Sequence, residues 1–439
     1  MAKKFRPWTV EQRWLLPPSV QELVPEDHLA HFIRETVREE LDLSAVVDVY
    51  DEERGFPPYH PVMMTALLLY GYCQGIYSSR RLARACRERV DFMAVTAMNQ
   101  PDFRTVSDFR KRHLSSLSAL FLQVLRLCQK ANMVRLGHVA LDGTKLKANA
   151  SKHKAMSYGR MSETEERLAT EIQGWFDRAE AADEAEDREH GASAGDELPG
   201  WVVSKEQRRE RIRAAREQLE AEAKAGKGPD DDPTSPSPKS KPKAKPDSDA
   251  KPADKTQLNF TDPQSKIMVS RDGFIQGYNC QAAVDGHAQI IVACDVVATN
   301  ADTPQLVGMV DQIKRNLGRH ARELSADTGY LSEANLRALR QRRVRGYIST
   351  RRMHPGSEQK LRRRRENQGP LAQQMRRRIQ RGGHQSRYRL RKQIVEPVFG
   401  QIKAGRGFRQ FLLRGRTKVF GEWPLVCTAH NLVKLAAGR

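Results

Sequence analysis

The sequence has few of the features of secreted and membrane proteins. Its longest apolar run, from Pro61 to Cys73, has 13 residues, whereas a membrane-spanning helix needs about 20. The first residues, MAKKFRPWTVEQ, contain no apolar stretch of the kind found in signal peptides. The six cysteines are scattered through 439 residues, and no pair has the short spacing typical of a zinc site. These absences predict a cytoplasmic protein with buried thiols and no membrane partner.

Acidic residues are scarce in one part of the chain only. The net charge is +21, from 75 Lys and Arg against 54 Asp and Glu. Residues 341–420 alone hold 24 basic and three acidic residues, an excess that equals the net charge of the whole chain. This concentration of charge indicates a nucleic acid partner. Aromatic residues make up only 7% and form no RNA-recognition motif, so DNA is favoured over RNA. The aromatic side chains interleaved with the charges favour a folded, phosphate-facing surface over a disordered tail.

The chain divides into segments of different character. Residues 1–135 show helical periodicity, and their short Arg-rich helices suit either a DNA-reading helix-turn-helix or helical packing without DNA contact. Residues 151–224 contain two capping boxes, each followed by an amphipathic stretch, which predict a helical hairpin inserted after the first strand. Residues 225–258 are rich in Pro and charge and poor in large apolar residues, so they predict a disordered linker.

The remaining segments, 136–150 and 259–439, predict a catalytic domain of alternating strands and helices. Residues 138–141 are β-prone and predict a buried strand that ends at Asp142. A later strand ends at Asp327. The order is β, insertion, β, β, α, β, α, β, α, which predicts an α/β fold with a mixed sheet flanked by helices, of the ribonuclease H-like kind.

Three carboxylates stand out in this domain. Asp142 and Asp327 follow strand-like runs, and Glu396 lies within the cationic stretch. Three carboxylates brought together can hold two Mg²⁺ ions about 4 Å apart, a pair suited to phosphoryl transfer. Taken singly, each residue has an ordinary explanation as a turn residue or a local ion pair. Asn279 and Gln281 either face the same site or are ordinary polar residues of a strand.

The motifs around these carboxylates resemble those of the DDE transposases of bacterial insertion sequences, in the group with a Tyr-Arg-Glu-Lys signature. Asp142 in ALDGTK matches the first aspartate, and Asp327 in SADTGY matches the second. Glu396 and Lys403 match the Glu-x6-Lys part of the signature. The resemblance implies that the three acids are catalytic and bind the metal.

The upstream half of the signature fits less well. Tyr388 and Arg391 have the expected separation, but four residues separate Arg391 from Glu396 where the signature has three. Lys392 has the expected spacing to Glu396, so either cation can fill the Arg position. The resemblance implies that Tyr388, Lys403 and one of these two cations bind DNA phosphates.

The resemblance extends through most of the chain, in segments such as YHPVMMTALLLYGYCQGIYSSRRLARA and PDFRTVSDFRKRH. It implies a transposase that binds the terminal inverted repeats of its element in double-stranded DNA. It also implies Mg²⁺-dependent cleavage, with Mn²⁺ as a substitute, and joining of the ends to target DNA. A homodimer or higher assembly on DNA and a bacterial, nucleoid-associated location are further implications. Two alternatives stay open: a nuclease of the same fold without strand transfer, and a non-catalytic basic DNA-binding protein.

Overall fold

The computed structural model describes residues 19–50, 58–151, 154–190, 200–224, 252–254, 256–270, 273–350 and 369–438. Most of the predicted linker, residues 225–251 and 255, lies outside the described residues. Within the described part, no helix is both long and apolar enough to cross a membrane.

The N-terminal region is helical, as predicted. Its helices are α1 (Leu29–Glu35), α2 (Ser44–Val47), α3 (Pro61–Cys73), α4 (Ser79–Glu88), α5 (Val90–Thr96), α6 (Phe103–Arg112) and α7 (Leu114–Lys130). Helix α3 begins with Pro61, whose missing N–H would have no partner in a first turn. Nδ1 of His60 accepts a hydrogen bond from the Val62 N–H at 3.2 Å and caps the same turn. Eleven of the 13 residues of α3 are buried, so this helix is the centre of the helical region.

The strands of the described residues form one large sheet and one small ribbon. They are β1 (His138–Lys147), β2 (Ala155–Ser157), β3 (Gln257–Asn259), β4 (Lys266–Ser270), β5 (Gly273–Asp285), β6 (Ile291–Val297), β7 (Glu323–Ala326) and β8 (Arg345–Ile348). The large sheet has the order β6-β5-β1-β7-β8, and β4 pairs with the first half of β5.

The strand directions in the large sheet are mixed. Strand β1 is antiparallel to β5 and parallel to β7, and β7 is parallel to β8. A central strand between an antiparallel hairpin and two parallel strands is the ribonuclease H-like arrangement. The fold predicted from the order of elements is therefore confirmed, with β4 as a strand that the sequence pattern did not predict.

In the described part of the chain, seven further helices accompany the strands. They are α8 (Tyr158–His190), α9 (Gly200–Lys224), α10 (Gln305–Leu317), α11 (Glu333–Gln341), α12 (Pro370–Gly382), α13 (Leu390–Gly400) and α14 (Arg416–Ala437). Helices α8 and α9 contact each other and form the inserted hairpin, with a small core of its own around Met161, Leu168 and Ile212. The antiparallel ribbon of β2 and β3 joins the two ends of this insertion. Strand β3 begins at Gln257, which is within the last two residues of the predicted linker.

Helix α14 joins the helical region to the sheet. It packs against α7 and α3 on one side and against β6 on the other. Trp423 is completely buried and donates to the backbone carbonyl of Gln281 at 3.1 Å. The Asn431 amide pairs with both the N–H and the carbonyl of Ile291, each at 2.9 Å, so it acts as a strand partner for β6. The N-terminal helices and the sheet thus share one hydrophobic core.

All six cysteines are buried, as expected from their scattered positions. Burial raises the pKa of the Cys73 and Cys128 thiols to about 12 and that of Cys86 to about 11. Because the thiolate is the reactive form, these side chains are chemically inert in the folded protein.

Glu422 of α14 is a buried carboxylate inside this core. Its Oε2 accepts hydrogen bonds from the backbone N–H groups of Leu412 and Leu413, both at 3.1 Å. Burial raises the pKa of Glu422 to about 7, although these N–H groups and the charge of Arg110 act in the opposite direction. The folded protein therefore holds a proton on Glu422 more tightly than the unfolded chain does.

This difference predicts a pH-dependent contribution to stability. Since the pKa is raised on folding, the contribution is complete below the unfolded value of 4.5 and is lost as the pH rises to about 7. We expect Glu422→Gln, which keeps an acceptor for the two N–H groups, to gain about 2–3 kcal/mol relative to the wild type between these limits. Urea unfolding at pH values from 5 to 8 measures the difference. The control is Glu217→Gln on the exposed face of α9. Parallel stability curves for the Glu422→Gln variant and the wild type would contradict the prediction.

Candidate active site

The first two predicted carboxylates lie where the parallel pairing of two adjacent strands ends. Leu141 of β1 is opposite Ala326, the last residue of β7, so Asp142 and Asp327 follow the last paired positions of the two strands. Strand β1 does not end at Asp142, as the sequence predicted, but continues to Lys147. It continues because β5 is long enough to pair with it as far as Lys147.

Both aspartates are held by backbone N–H groups of the residues that follow them. Oδ1 of Asp327 accepts from the Gly329 N–H at 2.8 Å and caps the short 3₁₀ turn Thr328–Tyr330. Oδ1 of Asp142 accepts from the Gly143 N–H at 3.0 Å. In both aspartates the bond is accepted by Oδ1, and it fixes the orientation of the carboxylate.

Glu396 reaches the same end of the sheet from helix α13, which packs on β1. Pro397 interrupts the helical hydrogen bonding there, because proline has no N–H to donate to the carbonyl of Gln393. The side-chain amide of Gln289 donates to that carbonyl instead, at 3.1 Å. A proline directly after Glu396 is therefore accommodated within the helix.

Arg391 joins two of the three carboxylates. Its Nη1 donates to Oδ2 of Asp142, and its Nη2 donates to Oε1 of Glu396 at 3.1 Å. The Arg391 side chain is only 12% exposed, whereas Glu396 is 44% exposed. The side chain of Tyr388 hydrogen-bonds to Arg391, and Lys392 is exposed. Of the two cations that the sequence left open, the structure brings Arg391 to the carboxylates.

The electrostatics of Asp142 are set mainly by its burial. Burial raises the pKa of Asp142 to about 7, and the charges of Asp327 and Asp302 also raise it. Arg391 and the Gly143 N–H act in the opposite direction without cancelling the effect. A carboxyl group with this pKa signals a place where added positive charge would be stabilised.

Asp302 is a fourth carboxylate at the site, and the sequence analysis missed it. It lies in the loop between β6 and α10, and its Oδ1 accepts from the side-chain amides of Asn279 at 2.7 Å and Gln281 at 3.0 Å. Tyr330 is completely buried and donates its hydroxyl to Oε1 of Gln281. The two polar residues of β5 therefore face the site, and they hold Asp302 in place.

Two glycines leave room for Asp302. A Cβ atom on Gly143 would lie 2.9 Å from Oδ1 of Asp302, and one on Gly329 would lie 2.9 Å from its Oδ2. The same Cβ atom on Gly329 would also lie 3.0 Å from Oδ1 of Asp327. Oxygens of Asp302 and Asp327 thus border one small space that any larger residue at position 329 would fill.

A sequence signal for Asp302 existed, although it was ambiguous. Asp302 precedes Thr303 and Pro304 at the start of a helix, and an aspartate at such a place usually serves as a helix cap. What distinguishes it is the Thr303 hydroxyl, which donates to the Gly329 carbonyl at 2.6 Å and so ties the Asp302 loop to the loop after Asp327. That contact depends on the sheet and cannot be seen in the local sequence.

Comparison with known families decides the identity of this chain. A family model described as "Transposase domain (DUF772)" matches residues 18–112, and one described as "Transposase DDE domain" matches residues 247–432. The chain belongs to the DDE transposases. No curated protein and no solved structure matches it.

The matched DDE region of this insertion-sequence-type transposase contains Asp302, Asp327 and Glu396, and Asp142 lies between the two matched regions. The resemblance found in the motifs is confirmed at the level of the family. Membership of the Tyr-Arg-Glu-Lys group stays a prediction.

Lys403 of the transposase occupies a π-helical turn, Gln401–Gly405, directly after α13. Its Nζ donates to the carbonyl of Lys145 at 2.9 Å, three residues beyond Asp142 on β1. Lys403 therefore lies beside the central strand of the sheet. A π-helical turn is a rare feature that often marks functional sites.

The carboxylates of the transposase are not gathered around one point. Within the described residues, no three Asp, Glu, His or Cys side chains converge closely enough to hold a metal ion. The guanidinium of Arg391 supplies the positive charge between Asp142 and Glu396, and oxygens of Asp302 and Asp327 lie close to Gly329. Carboxylate oxygens are the ligands that Mg²⁺ prefers, so the donor chemistry suits such an ion, whereas this arrangement of the described residues does not gather the donors around one point.

Proposed function

We propose that this transposase binds the inverted repeats at the ends of its own element, cuts the DNA there and joins the ends to target DNA. The observation that carries the proposal is the placement of Asp142 and Asp327 directly after the last paired residues of two adjacent parallel strands, with Glu396 linked to Asp142 through Arg391. Three acids from separate parts of the chain thus lie at one end of the parallel pairing.

We propose that Asp142, Asp327 and Glu396, with Asp302, hold two Mg²⁺ ions, for which Mn²⁺ can substitute. All four offer carboxylate oxygens, the ligands that these hard cations prefer. When bound, a metal pair of this kind stabilises the attacking and leaving oxygens of a phosphoryl transfer. Two observations support the proposal: Arg391 already places a positive charge between Asp142 and Glu396, and oxygens of Asp302 and Asp327 both lie close to Gly329.

The proposal also assigns DNA binding to residues beside the carboxylates. The cations Arg391 and Lys403, together with the hydroxyl of Tyr388, bind phosphates of the DNA strand next to the cleaved bond. Arg391 is already buried among carboxylates, so its transfer to a phosphate would leave Asp142 and Glu396 to bind the metal. Lys392 is exposed beside them and contributes to the general attraction of DNA.

The proposed reaction requires more than one copy of the protein. An element has two ends, and joining both to one target requires two active sites held together on DNA. We propose a homodimer or a higher assembly that forms on the paired ends. The basic stretch 341–420 supplies much of the phosphate contact, because it carries an excess of charge equal to that of the whole chain.

Joining distinguishes a transposase reaction from simple hydrolysis by the same residues. The test uses duplexes that carry the DNA flanking the gene for this protein, with a supercoiled plasmid as target. In Mg²⁺ we expect a nick at the element end and covalent attachment of its 3′-OH strand to the plasmid, and neither product in EDTA. Nicked ends that never join the plasmid would indicate a nuclease, and an uncut duplex would indicate a DNA-binding protein without catalysis.

A further inference from the structure

A cavity rich in arginine lies away from the carboxylates. It has a volume of about 600 Å³ and lies between α12, the turn that follows α12, and the start of β8. We call it the arginine cavity, and the lining residues that matter here are Arg345, Arg377, Arg378, Arg381, Ser386 and Arg387.

The charge of the arginine cavity is unbalanced. Five guanidinium groups line it, and no Asp or Glu is among the described residues that line it. Among the described residues, Arg387 alone of the five forms an ion pair, with Glu323 at 2.9 Å. Arg378 donates to the Gly346 carbonyl at 3.1 Å, which holds its side chain at the wall of the cavity. Arginines grouped in this way repel one another unless an anion lies between them.

Ser386 provides an independent sign that a ligand belongs here. The residue is 8% exposed, and its hydroxyl oxygen is buried without a hydrogen-bond partner in the described part of the chain. A buried hydroxyl without a partner costs about 1–3 kcal/mol. An acceptor oxygen placed in the cavity would remove that cost.

We propose that the arginine cavity binds a backbone phosphate of the DNA strand that runs to the active site, an inference that rests on the proposed function. Arginine matches the oxygens of a phosphate with paired N–H groups, and a serine hydroxyl donates to a third. Ser386 and Arg387 directly precede Tyr388, and Arg391 contacts Asp142. One short segment therefore leads from the cavity to the carboxylates.

The sheet sets the distance between the two places. Arg345 is opposite Glu323 at the start of β7, and Asp327 follows the end of that strand. At about 3.3 Å per residue, Glu323 and Asp327 are roughly 13 Å apart. This is the rise of about four nucleotides in B-form DNA, at ~3.4 Å each. The bound phosphate is therefore about four nucleotides from the cleaved bond, where it sets the register of the strand.

The first test places a thiol in the cavity. All six native cysteines are buried, so an introduced cysteine is the reactive one. Gln385 lines the cavity, and Gln380 is an exposed residue of α12 that does not. With the element-end duplex at about ten times its Kd, we expect alkylation of the Gln385→Cys variant to slow about tenfold. The matched Gln380→Cys variant is expected to react at an unchanged rate.

The second test removes charge. We expect Arg377→Gln/Arg381→Gln to reduce the log–log salt slope of DNA binding by about 1–2, since each phosphate contact contributes about 0.9. The matched control, Arg315→Gln/Arg337→Gln, removes the same charge from exposed helix surfaces outside the cavity and is expected to leave most of the slope.

Four outcomes would overturn the inference. In the first outcome, the Gln385→Cys variant cleaves the duplex but is alkylated at the same rate with and without it. The DNA would then not pass through the cavity, and the proposed function would be unaffected. Equal protection by inorganic phosphate would assign the cavity to a free anion, and protection by polyglutamate alone would assign it to an acidic protein. A folded protein that neither binds nor cleaves the duplex would overturn the proposed function as well.

Discussion

Cleavage and joining are both expected to disappear when Asp142, Asp327 or Glu396 is replaced by its amide. Each amide keeps the shape of the side chain but removes a charge that two divalent cations need. The expected loss is at least about a thousandfold in rate, or about 4 kcal/mol in the barrier. The measurement is product formation from element-end duplexes in Mg²⁺, with binding of the same duplexes measured in parallel. Binding is expected to persist, because Lys and Arg make most phosphate contacts.

A good control for these variants is an aspartate outside the site. Asp311 lies on α10 and forms an ion pair with Arg342 at the surface, with a shortest distance of 2.6 Å. Asp311→Asn is therefore expected to keep nearly all activity. Asp285 is a poor control, because it is buried and accepts from the N–H groups of Leu136 and His287. The assignment fails if Asp327→Asn still joins ends at a near-normal rate, or if Asp311→Asn is inactive.

Asp302→Asn is expected to weaken both divalent cation binding and cleavage. Its carboxylate lies between Gly143 and Gly329 and borders the same space as Oδ1 of Asp327. We expect Mn²⁺ affinity to fall about 10–100-fold, the range seen when groups supporting a metal site are lost, with a cleavage loss at least as large. Mn²⁺ binding to the protein without DNA, followed by electron paramagnetic resonance, measures the first effect independently of catalysis.

A steric variant tests the same space without changing any charge. A methyl group at Gly329 would lie 2.9 Å from Oδ2 of Asp302 and 3.0 Å from Oδ1 of Asp327, so Gly329→Ala is expected to mimic Asp302→Asn. Gly174→Ala is the matched control, because a Cβ there meets nothing within 4 Å. Thermal unfolding of each variant separates loss of the site from loss of the fold.

Unchanged Mn²⁺ affinity in a folded Asp302→Asn variant would show that Asp302 has no part in metal binding.

The sequence alone predicted the fold class, which the structure confirms, and named three carboxylates as candidates for the site. Short β-prone runs before Asp142 and Asp327 predicted that each follows a buried strand, since a buried strand is apolar and a following acid must leave the core; for Asp142 the strand instead continues to Lys147. Glu396 was found by its spacing from Lys403 within one helical segment. These patterns are local in the chain, so they can be recognised without knowledge of tertiary contacts.

The tertiary structure decided which side chains meet. Spacing along the chain did not choose between Arg391 and Lys392, because Arg391 has the expected separation from Tyr388 and Lys392 has the expected separation from Glu396. Adjacent residues of a helix point about 100° apart, so the two side chains cannot face the same carboxylates equally. Only the packing of α13 on β1 shows that Arg391 is the one that contacts Asp142. Asp302 was hidden for a related reason: in sequence it resembles a helix cap, and its neighbours Asn279 and Gly329 come from other loops and strands.

The distribution of charge shows the same division. Composition located the excess of Lys and Arg in residues 341–420, because net charge is a property of the sequence. Which arginines share a cavity, and which of them has a carboxylate partner, depends on how α12 and the following turn pack against β8. Those contacts join residues that are distant in the chain, and only the folded sheet brings them within the few ångströms over which hydrogen bonds and ion pairs act.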